Sequence, residues 1–402
     1  MKIRSVLLAG LLFTSSAIAW DINKVQVVEE LDIIKLKNKT LKLDTGIGSG
    51  AFHYKNDAAN VFYTITDRGP NIRCVDSLKL MGESLCKKGK IFPTANFTPT
   101  IYKIKLFKNY YKVLEKIQIK DQDGKQVSGI SNAGTENAYD LKGNPIKFDA
   151  HGLDAEALIK LSDGSFWIAE EYGASLLHIS SDGRILKRVV PEGFEKNLVG
   201  ANYKISSSLP SLISKRPLNR GIESLAVSDN EKYLYFSMQS PLAHPNKNAY
   251  KKSRNVRMYK YDINADKVVG EYIYQMDKPD TFKLDAKKNQ NAVKISEMVA
   301  VGNDELIILE RVSKTTKFYK VKFSNSILNS KWDNIDTMPT LEQSESFENA
   351  MKKELVLDTS TIEGMPKKIE GIAYIDENNW ILINDNDFGI TNYSTQIIKL
   401  VR

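Results

Sequence analysis

Four glutamates recur in matching local sequence: Ala155-Glu156-Ala157-Leu158, Ile222-Glu223-Ser224-Leu225-Ala226, Ser296-Glu297-Met298-Val299-Ala300 and Ile369-Glu370-Gly371-Ile372-Ala373. A weaker fifth copy, Gly48-Ser49-Gly50-Ala51-Phe52, carries Ser49 where the others carry Glu. Carboxylates gathered at one place repel, and burial adds a desolvation cost, so such a set requires protons or a cation. Oxygen ligands of this kind suit a hard ion such as Ca²⁺. Glu156, Glu223, Glu297 and Glu370, with Asp385, are therefore the candidate metal ligands. The competing reading is an all-protein ion-pair network, because Arg68, Arg220 and Arg311 lie beside the same segments. Those three arginines are also the candidate substrate-binding residues, since a guanidinium fork matches phosphate oxygens.

A second polar layer follows at the ends of the next strands: Asp67, Glu170 and Glu171, Gln239, Glu310 and Asp385-Asn386-Asp387. Strand ends opening into loops are where a scaffold displays functional groups, so Asp67, Glu171 and Glu310 are candidate catalytic residues. His151, in Asp149-Ala150-His151-Gly152-Leu153-Asp154, is a candidate general acid or base. His53, His178 and His244 have no comparable context. There is neither a Gly-x-Ser-x-Gly elbow nor a glycine-rich nucleotide loop.

The elements that must position these groups are strands. Each glutamate segment is followed by a polar turn and a second apolar run, at 165–171, 233–239, 305–310 and 380–385. Third and fourth strands are readable behind most copies: 101–106 and 111–119, 176–180 and 185–190, 256–262 and 268–274, and 317–323. Four-stranded units roughly every 70 residues, without a helical pattern, predict an all-β β-propeller. Five blades are visible, and a sixth within the interval 49–156 is the alternative. A two-domain β-sandwich does not account for the repeated Glu. The last copy ends at 396–401 one strand short, and 25–36 is available to complete it, closing the ring from both chain ends. Residues 72–99, 121–150 and 325–352, rich in Lys, Asn, Gly and Ser, read as loop insertions, and 20–402 as one domain.

Lys2 and Arg4, an apolar run from Val6 to Phe13, and Ala17-Ile18-Ala19 form a signal peptide over 1–19, cleaved after Ala19. No later run reaches about 18 apolar residues, so no integral membrane segment is expected after cleavage. Cys74 and Cys86 are the only cysteines. In a bacterial periplasm or outside the cell they are expected to bridge, contributing about 3 kcal/mol in the chain-entropy model. The 402 residues are 42% hydrophobic and 26% charged, which excludes a disordered or fibrous chain. The net charge of +8 favours anionic partners. Secretion and scattered lysines argue against nucleic acid. A monomer acting on a small anionic substrate is expected.

The ordered set of motifs resembles the "esterase-like activity of phytase" (phytase-like) family of secreted bacterial β-propellers. It comprises Asp67-Arg68-Gly69-Pro70-Asn71, Asp154-Ala155-Glu156 with Glu170-Glu171, Asn219-Arg220-Gly221-Ile222-Glu223, Ser296-Glu297-Met298-Val299-Ala300, Leu309-Glu310-Arg311, Lys368-Ile369-Glu370-Gly371 and Asn384-Asp385-Asn386-Asp387-Phe388-Gly389. Where the family usually reads Asp-Pro-Glu-Gly, this chain has Ala155 and Ala157 in place of Pro and Gly. The resemblance implies hydrolysis of phosphate or other esters, and related propeller phytases bind phosphate through calcium. Three functions stay open: a calcium-dependent phosphoesterase, a carboxyl-ester or lactone hydrolase, and a non-catalytic binding propeller of the envelope whose acidic ring is structural.

Overall fold

The turns following the glutamate segments fold for local reasons. At Ser162-Asp163-Gly164, Gly164 takes φ +89°, and the Asp163 carboxylate accepts the Ser165 backbone N–H at 2.8 Å, reversing the chain into the next strand. The computed structural model describes residues 20–402 apart from 303 and 346, so the expected signal peptide lies outside the described residues.

Five antiparallel sheets follow one another along the chain. The first comprises Gly50–Phe52, Val61–Ile65, Thr100–Leu106 and Tyr111–Gln118. The second comprises Ala155–Lys160, Phe166–Glu170, Ser175–Ile179 and Ile185–Pro191, with Lys204–Leu209 added in parallel at its edge. The third comprises Ile222–Val227, Tyr233–Met238, Asn255–Asp262 and Lys267–Gln275. The fourth comprises Lys294–Gly302, Glu305–Arg311, Thr316–Lys322 and Lys353–Asp358. The fifth comprises Ile369–Asp376, Asn379–Asn384, Gln396–Val401 and, from the other end of the chain, Asp21–Gln26.

The fold is all-β and propeller-like in its repeated sheets. The opening strands lie beside one another: Ala155–Lys160 between Gly50–Phe52 and Ile222–Val227, and Lys294–Gly302 between Ile222–Val227 and Ile369–Asp376. Ile369–Asp376 in turn lies beside Gly50–Phe52. They approach so closely that a Cβ on Gly50 would meet the Glu156 carbonyl oxygen at 2.7 Å. Between the sheets lies a continuous core that includes Trp167, Phe236, Tyr259, Tyr261, Met298 and Ile308.

The strand completing the fifth sheet is Asp21–Gln26, whereas 25–36 was expected there. Half of that expected segment, Glu30–Lys35, forms a separate hairpin with Thr40–Asp44. The apolar pattern runs through both strands, so it does not show where the chain leaves one sheet for the next. The long interval between the first and second sheets holds a small sheet of two-residue strands: Ile72–Arg73, Lys90–Ile91, Ala138–Tyr139 and Pro145–Ile146. Cys74 and Cys86 are disulfide-bonded across a short helix, Ser77–Met81. No helix among the described residues is long and apolar enough to cross a membrane.

Candidate functional site

Each sheet from the second to the fifth has a register shift at the start of its opening strand, which sets one residue out of the ladder as a bulge. The displaced residue is Glu156 between Ala155 and Ala157, Glu223 between Ile222 and Ser224, and Glu370 between Ile369 and Gly371. In the fourth sheet it is Ser296, between Ile295 and Glu297. Glu297 is thus one residue out of step with the other three glutamates, and side chains one residue apart face opposite ways. Its carboxylate is buried and accepts backbone N–H groups from Met298 at 3.0 Å and from Ala51 and Leu225 at 3.4 Å. Burial raises its pKa, and it does not join the other three.

Glu156, Glu223 and Glu370 do meet: one carboxylate oxygen from each lies within 4.8 Å of the others. A second group of the same kind, Asp67, Asp154 and Glu156, shares Glu156. All are in or around a cavity of about 170 Å³ whose lining is entirely polar. Among the described residues no hydrogen-bond donor reaches Glu156. Glu223 accepts only Ser296 Oγ, at 3.3 Å, and Glu370 pairs with Arg311.

A residue at or shortly past the end of each second strand also faces this cavity: Asp67, Glu171, Gln239, Arg311 and Asp385. Glu171 accepts Gln239 Nε2 at 2.8 Å, and Asp385 pairs with Lys368 at 3.2 Å. The residue before each of these points away, as strand alternation requires. Glu170 pairs with Arg188 at 3.1 Å. Glu310, expected among the catalytic residues, instead accepts Tyr274 Oη at 2.6 Å and Lys353 Nζ at 2.9 Å, buried between the sheets and outside the cavity. His151 is also misplaced by the sequence reading. Its ring meets Tyr203 edge-on at 5.5 Å and is absent from the cavity wall, because the Asp149 carboxylate turns the loop by accepting the His151 N–H.

Two of the three expected arginines are already committed to carboxylates. Arg68 pairs with Glu136 at 3.1 Å and Asp154 at 3.6 Å and lies over the Phe92 and Tyr172 rings; Arg311 holds Glu370 and donates to Ser296 Oγ at 2.8 Å. Arg220 donates to Tyr250 Oη at 3.0 Å and to Gln239, and has no carboxylate partner among the described residues. Sequence reading passed over Lys90, Lys294 and Lys368, which also line the cavity. Lys294 and Lys368 stand one residue before Ile295 and Ile369, the place Asp154 holds before Ala155. That shared offset was the available signal.

Eight carboxylates and five cationic side chains line the cavity, so full ionisation leaves an excess of negative charge. Burial, then neighbouring carboxylates, push Glu156, Glu171 and Asp67 well above the usual range. Burial raises Asp154 to about 6 against the pull of Arg68, and Glu370 to about 7 against that of Arg311. Burial would raise Asp385 too, but Lys368 and the Asp387 backbone N–H hold it low. Burial beside Arg220 and Arg311 lowers Lys294 to about 8.

Above the cavity, and sharing Asp67, Lys90, Asn219, Lys294 and Asp387 with it, opens a cleft of about 1230 Å³. At the far ends of the opening strands lies a separate hollow of about 460 Å³ with an apolar floor that includes Phe52, Leu225 and Met298.

A secreted protein of Arthroderma benhamiae, described as uncharacterized, is 24% identical over 286 residues. The alignment covers 63% of this chain and 54% of that one, so the chain spans about half the length of this relative. Among solved structures, a luciferin-regenerating enzyme aligns at 8% identity over 90% of this chain and 92% of its own, with a TM-score of 0.37. The Cps50 (Swd1) β-propeller domain of Myceliophteria thermophila aligns at 9% identity over 93% and 99%, also with a TM-score of 0.37. The family model described as "Phytase-like: Esterase-like activity of phytase" matches residues 47–388, and the chain belongs to that family.

Proposed function

We infer that this protein is an extracytoplasmic hydrolase of phosphate esters whose site is the carboxylate-lined cavity, built on a five-bladed ring of sheets. The observation that carries the reading is the meeting of Glu156, Glu223 and Glu370, from three different sheets, with one arginine among them. Three such carboxylates with a single cationic partner fit a hard divalent cation such as Ca²⁺, which Glu156, Glu223 and Glu370 would hold. Such an ion supplies positive charge to polarise a phosphoryl oxygen and to acidify water.

The chain's own residues divide the remaining work. Arg220 and Lys294, neither with an ion-pair partner among the described residues, are available to a substrate anion. Arg68 and Arg311 orient carboxylates and contribute field more than direct contact. Glu171 and Asp67 hold protons that a water or leaving group can exchange, because burial keeps both above the usual carboxylate range. The fourth sheet contributes Lys294 and Arg311 to the wall and no carboxylate. Opposite in charge, the second sheet and its approach contribute Asp154, Glu156 and Glu171. A cation and an anion thus have separate walls to occupy.

The test is a panel of phosphomonoesters, phosphodiesters and carboxyl esters assayed with calcium and with chelator. Phosphoester turnover that chelation abolishes and Glu223→Gln impairs supports the reading. Full turnover in chelator removes the cation, and no turnover on any ester leaves a binding propeller.

A further inference from the structure

The cleft above the cavity has the opposite charge balance from the cavity itself. Nine of its lining side chains are cationic and four are carboxylates. Lys87 and Lys88 on one wall and Lys247 and Lys251 on the other are exposed and form no ion pair among the described residues. Electrostatics alone therefore selects an anionic partner larger than the cavity can hold.

The same rim is also apolar. Val75 and Leu218, both on the cleft wall, are 73% and 45% exposed, and Leu78, in the same disulfide-closed segment as Val75, is 64% exposed. These side chains are not loose ends. The helix Ser77–Met81 is anchored by the disulfide, by Ser77 Oγ donating to the Cys74 carbonyl at 2.8 Å, and by Met81 in a core cluster with Leu41, Leu43 and Ile72. What it buries is its other face; Val75 and Leu78 are held outward. A soluble polyanion has use for the lysines but none for these apolar groups. Exposed apolar side chains ringed by lysines are what an interfacial element presents to a bilayer: the apolar groups enter the acyl boundary and the lysines meet anionic headgroups.

We propose that the rim of the cleft, formed by Val75, Leu218, Lys87, Lys88, Lys247 and Lys251, docks on an anionic phospholipid membrane, bringing the cavity mouth to the lipid surface. Docking uses none of the carboxylates in the cavity, so it stands apart from the hydrolytic reading and is measured without turnover.

The experiment is co-sedimentation of the mature chain with phosphatidylcholine vesicles and with vesicles containing phosphatidylglycerol, in low and moderate salt, with polyphosphate as a soluble competitor. Wild-type protein is expected to pellet with the phosphatidylglycerol vesicles only. Since a lysine near such a surface is worth about a fivefold change in partition, Lys87→Glu with Lys88→Glu should weaken binding at least 25-fold. Val75→Asp with Leu218→Asp should weaken it at least tenfold with the melting temperature unchanged. Lys108→Glu with Lys112→Glu, outside the cleft, should leave it as it is, and so should Glu223→Gln. The proposal is overturned by failure to bind phosphatidylglycerol vesicles, by equal binding to neutral ones, or by full binding of the Val75/Leu218 variant. In the last case, displacement by polyphosphate would identify a soluble polyanion as the cleft's ligand.

Discussion

Glu156→Gln is expected to stabilise the cation-free protein and to abolish its response to calcium. Glu156 lies within 4.8 Å of Glu223, oxygen to oxygen, and no donor among the described residues compensates it. At an effective dielectric of about 20, two charges at that separation repel by about 3.5 kcal/mol. Glu370 is left out of this figure because Arg311 neutralises it. For a chain of 402 residues, an unfolding entropy of about 2.1 cal/mol/K per residue makes 1 kcal/mol worth about 1.2 °C. Removing the charge should therefore raise the cation-free melting temperature by up to about 4 °C at pH 8, the full value applying where Glu156 has lost the proton that burial favours. Wild-type protein should gain about 2.7 kcal/mol, or about 3 °C, with calcium at a hundred times its dissociation constant. The variant should gain nothing. Differential scanning calorimetry at pH 8 in chelator and in calcium reads both effects. A variant that melts lower than wild type in chelator, and still rises in calcium, would refute the repulsion argument and the cation site together.

The cavity also sets a pH dependence. Folded-state pKa values above the ordinary ones, about 6 for Asp154 and about 7 for Glu370, favour the protonated forms. The stability they contribute is full below about pH 4 and is lost as pH rises through 6 and 7. Cation-free protein should thus show a larger calcium-induced rise in melting temperature at pH 8 than at pH 5.5; an equal or smaller rise at pH 8 would count against linkage between protons and cation. Glu310→Ala should destabilise by about 3 kcal/mol, since it strips a buried partner from Lys353 and Tyr274, and should leave the calcium response intact. Loss of the calcium shift in that variant would put Glu310 back at the site. His151→Ala should leave any ester turnover within twofold of wild type at every pH tested, because its ring faces Tyr203 and not the cavity; a lost limb of the pH profile would show otherwise.

The repeated glutamates were legible because each follows the same strand start, and the sheet order along the chain followed from the turns between apolar runs. Their register was less so. Matching Glu297 to Glu223 by residue type places it one position late, whereas matching Ile295 to Ile222 and Ile369 by apolar phase puts Ser296 in the glutamate place. The same phase separates Glu310 from Arg311 and Glu170 from Glu171: one of each pair faces the cavity and the other the space between sheets. Lys294 and Lys368 escaped notice because a lysine before a strand ordinarily reads as solvated surface. Nothing local to Glu136 or Lys90 predicts their place either. Both arrive from long insertions, and only tertiary packing brings them to Arg68 and the cavity wall.

Those misreadings share a cause that bears on how the site works. The sheets repeat the backbone but not the charge. At the bulge position of the second to fifth sheets the chain has Glu156, Glu223, Ser296 and Glu370 in turn, and around the end of the second strand the five sheets have Asp67, Glu171, Gln239, Arg311 and Asp385. A fully acidic ring at both levels would repel itself and demand more cations than a cavity of about 170 Å³ accommodates. Serine at the fourth sheet's bulge, with Arg311 beside it, thins the acidic charge on that sheet while leaving it on the second. The result is a polarised wall, and polarisation is what a phosphoester needs: a place for a cation beside a place for the anion it polarises. A uniform ring suits an ion-binding strut, so the substitutions at Ser296 and Arg311 favour chemistry over a purely structural acidic core.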